Sequence, residues 1–379
     1  MPSLFWKRLG VLVIVTVLAS VAMPAPLIAE SASSWPYTAE GLTPAKEWVF
    51  GRLDNGLRYV VRKNALPAGN VSLRFCVQVG TAHETPGERG LAHFVEHMAF
   101  NGTTHFPGET LVQELRKHGV DIGPELSAFT FLTHTIYNLD APSIAPDALD
   151  RWFTVLRDFA DGMQFDPREV KRERGVIASE LRDRESPDWR ADVARRNFLY
   201  PRSPLSNDLR GSVNRVDQKQ LRAFYHKWYH PDRMIVVAVG DADPAQLEML
   251  VHKHFASLQP RTPASPKFDP ALKFDPAKTT FFHRDRRVSN LSMGLTSVLP
   301  RTPDSFEERR RWTARNLAMF ILNNRLRQVM REFPARFGSL EASSGYPTPF
   351  STEISISFAA NTWEWYVGTT TLEQELRRS

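Results

Sequence analysis

The most constraining stretch of this 379-residue chain is Gly90–Gly102, which contains His93-Phe94-Val95-Glu96-His97, an H-x-x-E-H element. Two imidazoles and a carboxylate among apolar neighbours are costly to bury unless each has a partner. Pro86-Gly87 ahead of the element, the spacing of Leu91, Phe94, Val95 and Met98, and Asn101-Gly102 behind it predict a short helix. On a helix His93 and His97 lie one turn apart on one face, so both rings can reach one metal ion. Glu96 sits close to that face. A carboxylate beside a metal, but not bound to it, can take a proton from water, so Glu96 is the candidate general base. The element inverts the more familiar H-E-x-x-H order.

A catalytic zinc takes three protein ligands and keeps one position open. The third candidate lies in Glu169–Glu180, where Asp166-Pro167 supplies a helix start. Glu173 and Glu180 are seven residues apart on a shared face and about 10 Å apart along the axis. One can bind the metal while the other orients a histidine or balances charge. The gaps from His97, 76 residues to Glu173 and 83 to Glu180, do not choose between them.

With these segments in view, the chain resembles the pitrilysin/insulysin family of inverted-motif zinc peptidases, which includes the mitochondrial processing peptidases. The resemblance is carried by His-Phe-Val-Glu-His-Met-Ala-Phe-Asn-Gly and by Glu-Arg-Gly-Val-Ile-Ala-Ser-Glu. It extends through Phe224–Pro231 and Ile235–Asp241, covers most of residues 45–260, and continues more weakly beyond. It implies Glu180 as the third ligand, Glu173 as a partner of a ligand, and one zinc ion per chain.

Composition is that of an ordinary globular chain, 42% hydrophobic and 24% charged, long enough for two domains. The formal charge of +6 is too diffuse to argue for nucleic acid, and two of those charges, Lys7 and Arg8, fall in the leader. That leader continues with an apolar stretch from Leu9 to Ala22 and then Pro24–Ala29, a secretory signal with cleavage expected after Ala29. The stretch is short for a membrane span, so no stable span is expected. The expected destination is the periplasm, with a signal-anchored form as the alternative. The single cysteine, Cys76, allows no intramolecular disulfide.

The expected organisation is a signal peptide (1–29), an N-terminal tail (30–45), a metal-bearing domain (46–258), a Pro-rich linker (259–278) and a second, metal-free domain (279–379). Asp54-Asn55-Gly56 signals a hairpin, 71–79 a strand, Glu109–His118 a helix and Ser127–Tyr137 one long strand. Beyond the linker the order restarts: a strand at 288–298, a helix at 304–332 and a strand at 351–359. The fold class is therefore α+β, built of repeated α/β-roll domains, each a mainly antiparallel sheet packed by helices, with the second copy shorter than the first.

Family members also use an Arg and a Tyr seven apart in a later metal-free domain; here Arg331 is followed at that spacing by Gly338. The expected function is a secreted zinc-dependent endopeptidase acting on unfolded peptides, which pair as an added strand along Ser127, Ala128, Phe129 and Thr130. The alternative is a zinc-binding half-enzyme or assembly subunit, inactive without a second metal-free half.

Overall fold

β3 (Val71–Val77) shows how the main sheet is built. Val71, Leu73, Phe75 and Val77 alternate into the core while Ser72, Arg74 and Cys76 face the other side. In the computed structural model, described for residues 35, 43–201, 203, 205, 213–260, 280–287, 291–302, 304–334, 337–360 and 365–378, this strand is central to a six-stranded sheet. The leader, most of the N-terminal tail and the Pro-rich linker lie outside the described residues.

The other strands of this sheet are β1 (Trp48–Arg52), β2 (Arg58–Lys63), β4 (Leu126–Thr130), β5 (Thr135–Ala141) and β6 (Met234–Gly240), in the order β1-β2-β6-β3-β5-β4. Only β2 and β6 run parallel. The hairpin at Asp54-Asn55-Gly56 forms as expected: Gly56 takes the left-handed conformation, and the Asn55 amide donates to the Phe255 and Leu258 carbonyls. β6 arrives late in the chain yet inserts between β2 and β3, so the sheet closes only after residue 234.

Helices cover one face. α1 (Leu91–Met98) packs against α4 (Pro167–Asp183), α6 (Gln218–Trp228) and β4. α2 (Thr110–Lys117), α3 (Pro146–Asp161), α5 (Pro187–Leu199) and α7 (Pro244–Phe255) complete the first lobe. Phe75, Phe94, Tyr137, Trp152, Phe153 and Phe159 are fully buried in one core; at about 25 cal/mol per Å2 their burial is a main driving force for this lobe.

Two expectations need correction. Ser127–Tyr137 is not one strand: it breaks at Phe131–His134 into the β4–β5 hairpin, with Phe131 N donating to His134 O. No Gly, Pro or Asn marks the turn. Its shape comes instead from Thr81 N and Ala82 N, which donate to the Phe131 and Leu132 carbonyls. A strand also lies at Ser339–Thr348, where Gly345 and Pro347 gave no strand signal.

The second lobe repeats half of the first. β7 (Leu291–Pro300), α8 (Phe306–Glu332), β8 (Ser339–Thr348) and β9 (Ser351–Ala360) form a sheet of order β7-β9-β8, with α9 (Trp365–Arg378) following. The first lobe places β3, a helical segment, β4 and β5 in the matching order β3-β5-β4. Leu322, Leu326 and Val329 of α8 pack on Leu340, Ala342, Ile356 and Phe358. α5 and the residue after it join the lobes, through the Arg195–Glu353 ion pair and the Tyr200 hydroxyl beside Ser351 Oγ.

Candidate metal centre

Folding brings the two sequence segments together. α1 and α4 cross so that His93 Nε2, His97 Nε2 and Glu180 Oε2 face one another. Their separations are 3.2 Å between the two nitrogens, 3.3 Å from His97 to Glu180 and 3.7 Å from His93 to Glu180. Donors held about 2.0–2.1 Å from a tetrahedral zinc stand roughly 3.3–3.4 Å from each other, so the spacing fits such an ion. The donor chemistry fits as well. The Glu173 carboxylate accepts from His97 Nδ1 at 2.7 Å, which puts the ring proton on Nδ1 and leaves the Nε2 lone pair aimed at the cluster.

The electrostatics agree with a cation site. Burial pushes the His93 imidazole down to about 3, so it is a neutral donor. Burial also lowers His97, but the Glu173, Glu96 and Glu180 carboxylates outweigh it and raise the net value; a cation at the cluster competes with that proton. Glu180 divides its carboxylate: Oε2 faces the histidines while Oε1 pairs with Arg184 Nη2.

Glu96 lies beside the cluster, nearly buried, and burial raises its carboxyl above the usual range. Thr130 Oγ1, at the end of β4, donates to Glu96 Oε2 at 2.5 Å. β4 is an outer strand of the six-stranded sheet, so Ser127, Ala128, Phe129 and Thr130 all lie along an edge next to Glu96. Phe129 is exposed and stands 6.3 Å from Phe131.

Four contacts at the site were not anticipated from the sequence. They are the Thr130 hydroxyl on Glu96, the Arg184 clamp on Glu180, Asn101 beneath His97, and Glu84. Glu84 is a buried carboxylate ahead of α1 whose two oxygens each accept at 2.9 Å, from Gly90 N and Ala92 N. It therefore serves the unpaired amides that begin the histidine helix, a role usually filled by the residue just before a helix. At six residues from Gly90 it matches no local capping pattern. Two of the four had a local signal: the four-residue spacing of Glu180 and Arg184, and the Asn101-Gly102 stop that places Asn101 four residues after His97.

Burial pushes the Glu84 carboxyl up to about 8, against the two amides that favour its charge. Its folded-state value thus exceeds that of the unfolded chain. Its contribution to stability is full below the ordinary carboxylate range and is lost as pH rises through about 8. His83 and His93, lowered to about 3 by burial, act in the opposite sense up to the ordinary imidazole range, so the effect is read as a difference: the stability of metal-free wild type relative to Glu84→Gln is expected to fall between about pH 5 and pH 8. Melting curves across this range test it, and an unchanged slope in the variant would refute it.

Three facing donors, with a carboxylate beside them that binds none of the others, make the layout of a metal-dependent hydrolase. The description "Insulinase (Peptidase family M16)" matches residues 59–211, and "Peptidase M16 inactive domain" matches residues 215–309. The chain belongs to this family, the insulinase or M16 peptidases. It is 29% identical over 341 residues to the probable zinc protease PqqL of Escherichia coli, covering 88% of this chain and 34% of that protein. The PqqL counterpart of Haemophilus influenzae is 34% identical over 220 residues, 56% of this chain and 23% of that one. The chain thus spans about a third or less of the length of these relatives.

Among solved structures, the first half of the periplasmic protease PqqL from Escherichia coli superposes with a TM-score of 0.74 at 26% identity. The match covers 84% of this chain and 69% of that one. The chain is also 28% identical over 227 residues to cytochrome b-c1 complex subunit 1 of Bos taurus, 58% of this chain and 45% of that protein.

Proposed function

We propose that this chain is the metal-bearing part of a zinc-dependent endopeptidase that hydrolyses unfolded peptides after export to the periplasm. The observation that carries the reading is the cluster of His93 Nε2, His97 Nε2 and Glu180 Oε2 with Glu96 beside it. His93, His97 and Glu180 hold one zinc ion, and Glu173 orients His97. When bound, zinc supplies a Lewis acid that polarises the scissile carbonyl and acidifies water.

Every other step belongs to the chain. Glu96 takes the proton from the attacking water and returns it to the leaving amine, a task suited to a carboxyl raised by burial. Thr130 holds Glu96 Oε2, leaving Oε1 to carry that proton. The edge of β4 along Ser127, Ala128, Phe129 and Thr130 accepts substrate as an added strand, so recognition rests on main-chain bonds that unfolded peptides of varied sequence can make.

Export is supported by the leader and by the similarity to PqqL of Escherichia coli, a periplasmic protease; among the described residues no helix is long and apolar enough to cross a membrane. A second reading, a zinc-binding half-enzyme or assembly subunit that needs a metal-free partner half, draws support from the similarity to a subunit of the cytochrome b-c1 complex.

The test is to purify the chain and its Glu96→Gln variant, measure zinc content, and assay cleavage of an unstructured fluorogenic peptide. Both proteins are expected to hold one zinc, and the variant's kcat to fall by roughly 10²–10⁴. A wild-type chain that holds zinc but cleaves nothing supports the half-enzyme reading. One that holds no zinc overturns both.

A further inference from the structure

Behind His97 the hydrogen bonds form a relay that the reaction itself does not use. Asn101, nearly buried just past the end of α1, donates from Nδ2 to His97 O at 2.9 Å and to Glu173 Oε2 at 3.2 Å. Its Oδ1 accepts from Arg172 Nη2 at 2.6 Å. A guanidinium can only donate and a carboxylate can only accept, so the Asn101 amide fits in one orientation alone. Glu173 is thereby pinned at both oxygens: Oε2 by Asn101, and Oε1 by His97 Nδ1 at 2.7 Å.

We propose that Asn101 is a positioning residue for the metal centre, which acts through Glu173 to fix the ring nitrogen that His97 offers to the cluster. The inference rests on the reading of His97 as a metal ligand. With Asn101 in place the Glu173 carboxylate cannot turn about its last torsion, and the His97 ring keeps its proton on Nδ1 and its Nε2 lone pair inward. Arg172 locks the amide without adding net positive charge near the cluster, because Glu109 and Glu169 balance it at 2.7 and 2.6 Å. A purely structural role for Asn101 would stop at His97 O, as a cap on the end of α1. The contact to Glu173 predicts coupling that a cap does not.

The experiment is a double-mutant cycle on zinc affinity, read by chelator competition on the full chain, with melting of each metal-free protein as the control for folding. Asn101→Ala is expected to weaken zinc binding roughly tenfold and Glu173→Ala roughly 10- to 100-fold. The double variant should bind no more weakly than Glu173→Ala alone. The proposal is overturned if Asn101→Ala binds like wild type, or if the double variant shows the product of both losses. Should Asn101→Ala fail to fold, Arg172→Met carries the test: it should weaken binding several-fold in the wild-type background and not at all beside Glu173→Ala. Failure of the wild type itself to bind zinc removes the ligand reading underneath, an outcome distinct from every other.

Discussion

Glu180→Ala should strip the chain of zinc, while Glu173→Ala should only weaken its hold. The two glutamates look alike in sequence, seven residues apart on one helix. The fold assigns them different neighbours: Glu180 Oε2 faces both histidine Nε2 atoms, whereas of the histidine nitrogens Glu173 meets His97 Nδ1, on the far side of the ring from the cluster. Zinc held by four protein ligands is worth roughly 10–16 kcal/mol, so one ligand accounts for about 3–4 kcal/mol, or two to three orders of magnitude in affinity. A residue that orients a ligand is worth roughly 10- to 100-fold. Isothermal titration or chelator competition separates these ranges. If Glu173→Ala empties the site and Glu180→Ala keeps it filled, the ligand assignment is wrong.

The largest effect on stability is expected at Gly80, in the link between β3 and the turn that leads towards α1. A Cβ there would stand 2.0 Å from the Phe131 carbonyl oxygen and 2.7–2.8 Å from the Leu132 carbonyl, all backbone atoms that cannot swing aside. Those two carbonyls accept from Thr81 N and Ala82 N, the bonds that shape the β4–β5 turn. Gly80→Ala must push this turn away and break one or both bonds. Overpacking and lost buried hydrogen bonds together amount to about 3–4 kcal/mol, or roughly a 10 °C fall in melting temperature. Because Thr130 ends β4 just before that turn, the same displacement is expected to disturb its bond to Glu96. Gly175 of α4 is the control, since a Cβ there meets nothing within 4 Å; Gly175→Ala should be neutral or slightly stabilising. Equal melting temperatures for the two variants would show that the close approach at Gly80 is not a constraint.

Chemistry carried by local spacing was legible without the structure. The four-residue step from His93 to His97 needs only a helix, and α1 forms where apolar periodicity and a Gly-rich approach predict it. Asp166-Pro167 starts α4, with the Asp166 side chain accepting from Arg168 N. The repeat of a strand, a helix and further strands after the linker is visible in both lobes as the matching orders β3-β5-β4 and β7-β9-β8.

What stayed hidden shares one cause, contact between residues far apart in the chain. The break between β4 and β5 follows from amides some fifty residues earlier, so its own residues carry no turn signal. Glu84 caps a helix from six residues away, and Asn101 meets Glu173 across 72 residues. The spacing between Glu173 and Glu180 could not say which one faces the histidines. Sequence by itself determined which groups are available for metal chemistry, because helical spacing is set locally by 3.6 residues per turn. Only the tertiary structure decided how they are aimed, because the crossing of α1 over α4 and the edge position of β4 come from burying one shared core that no local segment contains.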